Sequence, residues 1–260
     1  MQNNIETITN EHLTLLIDMV EQLKADHKKD KKYIDDLIVN YNPTDDDFVS
    51  RGWYYLYELP PIVTFVLFSQ HVGILDIFTS LKTSEAPNLD LLKLPTDDIV
   101  DNIDYKKTDL NKTLIAMFTH VFICNITCVE RYNNHMSELL EKGSNGDDTS
   151  FFNAIRIDKT VMLTPSFSLR LEKASIKNDK KFFTGLRNAL KKQGFKKWTS
   201  YDKTRLVIKL FQEADQLDTK SIEEFYQIFC LDHSLYPNTG NDPAKSLHQF
   251  IYRIKKSFST

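Results

Sequence analysis

The chain has 260 residues, of which 41% are hydrophobic and 27% charged, with a net charge of −3 and only 7 Gly, 8 Pro and 3 Cys. That length buries a core without staples, in one large domain or two smaller ones, and the composition excludes disordered, collagen-like and disulfide-framework classes. Apolar residues recur at helical spacing with little Gly or Pro to interrupt them, so an all-α multi-helix bundle with two helical subdomains is expected.

The N-terminus, MQNNIETITNEHL, has no basic segment followed by an apolar one. Together with an odd number of cysteines and no CxxC pair, this points to a reducing, cytoplasmic location. Leu13, Leu16, Ile17, Val20 and Leu23 mark an amphipathic helix that Thr9 or Asn10 can cap. The mixed-sign run Asp26–Lys32 either extends this helix as a wet face or breaks it. Tyr33, Ile34, Leu37 and Ile38 then resume the pattern, and Pro43 ends it.

Asp45, Asp46 and Asp47 precede FVSRGWYYLYEL and suit the positive end of a helix dipole. They lack the alternating ligands, glycine turn and distal Glu of a calcium loop, so no metal is expected there. The most apolar run, Pro61–Leu81, is about as long as a membrane span. Gln70, His71 and Asp76 interrupt it, so no membrane partner is expected and the run reads as a buried helix at the centre of the N-terminal core. Residues 82–109 read as a long irregular connection.

Leu110–Lys142 turns helical again, as one long helix or a collinear pair closed by Gly143. His120, Cys124 and Cys128 share a face there, and imidazole with two thiolates can bind zinc. A fourth ligand is not evident in the sequence, and the three read as core beside Leu114, Met117, Phe118 and Val121. Arg131-Tyr-Asn-Asn-His135 resembles the Arg…His motif of the all-helical HEPN ribonucleases over these five positions. Tyr stands where that motif has a polar residue, and three residues intervene rather than four to six. The resemblance implies a helical ribonuclease using His135; read from the residues alone, the stretch is an exposed helix end.

Gly143–Ser150, GSNGDDTS, has linker chemistry and divides the chain into an acidic helical domain, 1–147, and a basic one, 148–260. Residues 1–150 carry 13 Lys and Arg against 25 Asp and Glu, residues 151–200 carry 12 against 3, and residues 201–260 carry 8 against 8. Asp158 lies between Arg156 and Lys159, which are expected to neutralise it. Pro165 breaks the segment that opens with Phe151, and Ser166 can cap the helix that follows.

Lys180–Gln193 is the most sharply amphipathic stretch in the chain. Phe182, Phe183, Leu186, Ala189 and Leu190 fall on one side, with Lys180, Arg187 and Lys191 opposite, flanked by Lys181 and Lys192. Asn178 or Asp179 can cap it, and Gly194 can close it. Further helices are expected over Lys203–Leu217, over Ser221–Leu231 with a capping box of Ser221 and Glu224, and from Pro243 after an Asp242 cap.

No nucleophile elbow, phosphate-binding glycine loop, dinucleotide fingerprint or zinc His-Glu helix motif is present, so no enzyme activity and no cofactor are assigned. The loop before the last helix is too long for a helix-turn-helix. Lys180, Lys181, Arg187, Lys191, Lys192, Lys196, Lys197 and Trp198 form the candidate nucleic-acid-binding set, through phosphate contacts and one ring able to stack. The expected function is a non-enzymatic interaction or regulatory protein that contacts nucleic acid non-specifically. The alternative is a protein–protein scaffold or homo-oligomer whose acidic and basic halves pair, with the helical ribonuclease as a more distant one.

Overall fold

The computed structural model of the chain describes residues 7–39, 53–71, 109–191 and 201–258. Among the described residues every regular element is helical, so the chain is an all-α multi-helix bundle. Helix α1, Asn10–Val39, runs without a break through the charged stretch. Asp26 accepts hydrogen bonds there from Gln22 at 3.0 Å and Lys29 at 3.1 Å, pairs that neighbouring turns of one helix bring together. At its start the His12 amide donates to the Thr9 hydroxyl.

A 3₁₀ turn, Trp53–Glu58, leads into α2, Pro61–His71, with proline at the first helical position. The stretch expected as one long helix or a collinear pair forms two helices, α3, Asp109–Tyr132, and α4, Met136–Ser144. The break lies at Asn133, whose φ of 56° is left-handed and stops α3. Helix α5, Asp148–Ile157, follows a turn of three residues and is capped by Asp147, which accepts from the Thr149 amide.

A second 3₁₀ turn, Lys159–Leu163, precedes α6, Pro165–Ile176. The cap of α6 is Thr164, two residues before the expected Ser166, because Pro165 needs no amide partner at the first helical position. Helix α7, Lys180–Lys191, is capped by Asp179, which accepts from the Phe182 amide at 3.0 Å. Gly194 lies outside the described residues.

Helix α8, Asp202–Glu213, ends short of the expected Leu217, where Asp215 adopts a φ of 54°. The capping box of Ser221 and Glu224 opens α9, Ile222–Tyr226, which passes into a π turn over Gln227–Asp232. Asp242 caps α10, Pro243–Phe258, as its sequence implies.

Helix α3 is the hub, packing on α1, α2, α5, α8 and the first 3₁₀ turn. The buried apolar residues described gather in two clusters. The first holds Leu56, Tyr57, Met117, Val121, Leu139, Leu140, Phe151, Phe167, Phe182 and Ala189, so Leu139 and Phe151 share it across the 147/148 division. The second joins Leu13 of α1 to Val207, Phe211, Phe229, Leu247 and Ile251. Full burial of a side chain such as Phe182 contributes about 1.5–3 kcal/mol.

Of the run 61–81 expected at the centre of the N-terminal core, residues 72–81 lie outside the described residues, and the described part, α2, is not buried on most faces. It meets α3 through one stripe, Phe65 and Phe68 against Phe118 and Phe122, while Ile62, Val63, Val66 and Leu67 stay exposed. Among the described residues no helix is long and apolar enough to cross a membrane.

Two glycines permit close helix approach. A Cβ on Gly143 would meet the Phe151 ring at 2.5 Å, and one on Gly185 would meet the Phe152 ring at 2.3 Å. At an open helical site Gly→Ala stabilises by about 0.5–1 kcal/mol. Here the sign should reverse: Gly143→Ala is expected to destabilise by about 1–3 kcal/mol, because the Phe151 ring is fully buried and cannot yield. Gly185→Ala should cost less, since Phe152 is only half-buried. Urea titrations of the two variants would check both the sign and the order.

Candidate functional site

The apolar face of α7 fixes its polar face. Phe182 and Ala189 are buried, with Phe183, Leu186 and Leu190 packed beside them, and this face seats the helix on α5. Arg170 of α6 tightens the arrangement. Its guanidinium forks onto Asp148 at 2.7 and 2.8 Å, reaches the α7 cap Asp179 at 2.9 Å, and lies over the Phe182 ring at 4.2 Å. The Phe182 amide and Arg170 together hold the Asp179 carboxyl below its usual range.

Lys180, Lys181, Arg187 and Lys191 therefore point outward, and all four are exposed. Among the described residues none of the four is paired with a carboxylate; the nearby Asp179 is already committed to Arg170. Lys192, Lys196, Lys197 and Trp198 lie outside the described residues. Cations of the 201–260 stretch behave differently. Lys209 is buried and sits 2.8 Å from Glu138, and Lys203 pairs with Glu21.

A second constellation is buried, and the sequence reading missed most of it. His120 and Cys124 lie one turn apart on α3, with the Cys124 Sγ 3.7 Å from the His120 Nε2. Asp158, between α5 and the second 3₁₀ turn, places its Oδ2 2.9 Å from the same nitrogen. Its expected neutralisation by Arg156 and Lys159 does not occur. Arg156 donates to Asn153, Lys159 is exposed, and the carboxylate turns inward.

Tyr57 of the first 3₁₀ turn donates to Asp158 Oδ2 at 2.5 Å, and the Thr160 amide donates to Oδ1 at 2.8 Å. On the far side of the imidazole, His27 of α1 brings its Nε2 to 3.0 Å from His120 Nδ1, with the two rings stacked. Burial opposes ionisation of Asp158, but bonds from His120, Tyr57 and the Thr160 amide outweigh it and hold the carboxyl far below its usual range. For His120, burial favours the neutral ring, and Cys124 and Asp158 more than offset that, raising it well above the ordinary imidazole value. Burial, followed by the Asp158 charge, pushes the Tyr57 phenol up.

The donor atoms of His120, Cys124 and Asp158 all lie within 4.8 Å of one another, a grouping that could hold a metal among the described residues. Cys128, the third member of the sequence-based trio, is instead a core thiol near the Met136 sulfur, and burial pushes its pKa well above the usual thiol value. Of this site only the His120–Cys124 spacing was legible in the sequence. His27 sits in a charged run, Tyr57 in an aromatic one and Asp158 among cations, and no local pattern joins them.

Arg131 and His135 flank the break between α3 and α4, and both are half-buried rather than exposed. His135 Nε2 contacts Glu213, while the His135 amide donates to Glu138, closing the start of α4. Burial lowers the Arg131 guanidinium to about 10. No protein-family model, curated protein or solved structure matches the chain, and no relative supplies a site to carry over.

Because Asp158 is buried and relies on Tyr57, removing that hydroxyl leaves a carboxylate acceptor short of a partner. Tyr57→Phe should cost about 1–3 kcal/mol. That corresponds to a fall in Tm of roughly 3–10 °C for a chain of this size. Arg156→Met should cost less; the opposite order would restore the sequence-based pairing of Asp158 with its neighbouring cations.

Proposed function

We propose that the outer face of α7 is a contact surface for the phosphate backbone of nucleic acid, without readout of bases. The observation that carries this reading is the row of four exposed cations, Lys180, Lys181, Arg187 and Lys191, with no carboxylate partner among the described residues, on a helix whose opposite face is anchored in the core. An exposed cation row held on a rigid helix repels itself and attracts a polyanion, and each phosphate it meets releases condensed counterions. The helix is pre-positioned by the Arg170 fork, so little ordering is needed on contact.

The alternative reading, in which acidic and basic parts of the protein pair with each other, draws support from Lys203–Glu21 and Lys209–Glu138. Those pairs use cations of the charge-balanced 201–260 stretch, whereas the α7 row meets no carboxylate among the described residues. The α7 row is therefore the better candidate for an external anionic partner.

Three or four phosphate contacts predict an affinity that falls roughly 40- to 150-fold for a duplex, and roughly 20- to 50-fold for a single strand, between 50 and 200 mM salt. Fluorescence anisotropy with a labelled single strand and a labelled duplex would measure this. The triple variant Lys180→Glu/Arg187→Glu/Lys191→Glu should lose the binding while keeping its far-ultraviolet circular dichroism, because the substituted residues are exposed. Absence of binding by the wild type at low salt, or undiminished binding by the variant, would overturn the reading.

A further inference from the structure

The His120–Cys124–Asp158 constellation is independent of the basic face, and its geometry bears on what it can do. A thiol, an imidazole and a carboxylate invite comparison with a nucleophilic triad. In a triad the nucleophile and the carboxylate take opposite ring nitrogens, so that a proton accepted on one side is compensated on the other. Here Cys124 Sγ at 3.7 Å and Asp158 Oδ2 at 2.9 Å both face Nε2 of His120. The opposite nitrogen, Nδ1, faces His27 at 3.0 Å. The three groups are thus arranged around one point instead of along a relay.

Convergence on a point is the arrangement of ligands around a cation. With zinc–nitrogen distances of about 2.0–2.1 Å and zinc–sulfur of about 2.3 Å, a tetrahedral angle separates nitrogen from sulfur by about 3.5–3.6 Å and nitrogen from oxygen by about 3.3–3.4 Å. The sulfur, at 3.7 Å from the nitrogen, already lies close to that separation, and the carboxylate oxygen, at 2.9 Å, must draw back by about 0.4–0.5 Å. The surrounding bonds have the form of an outer ligand shell: His27 holds the second nitrogen of the ligating imidazole, and Tyr57 and the Thr160 amide hold the carboxylate. The donor set of one nitrogen, one sulfur and one oxygen suits a borderline-soft ion and excludes calcium and magnesium, which take oxygen ligands.

We infer that His120, Cys124 and Asp158 form a zinc site, with His27, Tyr57 and the Thr160 amide orienting the ligands. On binding, the thiol proton of Cys124 and the Nε2 proton of His120 leave, and the thiolate and carboxylate together balance the 2+ charge of the ion. Cys128, although one turn further along the same helix, takes no part.

The full chain, expressed in zinc-supplemented medium and freed of loose metal by gel filtration, should retain about one zinc per molecule. Titration of metal-depleted protein with Co²⁺ should produce a thiolate-to-cobalt charge-transfer band in the near ultraviolet. Cys124→Ala should abolish that band, and Cys128→Ala should leave it intact. A folded wild type that retains no stoichiometric zinc and gives no cobalt band would show a purely polar buried network and overturn the assignment. So would a Cys128→Ala variant that lost the band while Cys124→Ala kept it. The wild-type measurements decide the question even if Cys124→Ala does not fold.

Discussion

A carboxylate taken out of water must be surrounded by donors, and the Asp158 side chain is the point at which this constraint ties the bundle together. Its partners come from the first 3₁₀ turn, from α3 and from the second 3₁₀ turn, and through His120 the network extends to His27 on α1. Four chain segments, distant in sequence, are brought to one place by the need to satisfy one charge. Breaking a buried pair of this kind by removing one partner costs about 3–5 kcal/mol, more than the pair gains over a well-packed apolar substitute. Such a network therefore specifies how the segments dock more than it adds to stability.

The same contrast between satisfied and unsatisfied charge separates the two surfaces of the C-terminal half. Lys209 is buried and held by Glu138, with Glu213 at 3.6 Å, and Arg205 donates to the Glu130 carbonyl on α3. Lys209 thus fastens α8 to α4, and Arg205 fastens it to the hub. On α7 the acidic group that could have served as partner, Asp179, is used twice over, as helix cap and as acceptor for Arg170. Its commitment leaves the outer cations of α7 to solvent. The position of one carboxylate thus decides both how α7 is seated and what its free face presents.

Local patterns in the sequence determined the helical class, the apolar face of α7, the Ser221–Glu224 capping box and the Asp242–Pro243 start of α10. Each depends on residues within about one turn of one another, where periodicity and capping chemistry act directly. The sequence also marked Lys180, Arg187 and Lys191 as one stripe, since a helix wheel places them without reference to the rest of the chain. It placed the cap of α6 at Ser166 instead of Thr164, and it left open whether α3 and α4 were one helix or two, because a single left-handed residue at Asn133 carries no signal in apolar spacing. Only the tertiary structure decided that Asp158 faces inward, that Ile62, Val63, Val66 and Leu67 of α2 are exposed, that the α7 stripe meets no acidic partner among the described residues, and that His120 and Cys124 are joined by a carboxylate from another element. The reason is physical: desolvation and ion pairing depend on which segments meet in space, and His27, Tyr57, His120 and Asp158 are separated in the chain by far more than any helical or strand period can connect.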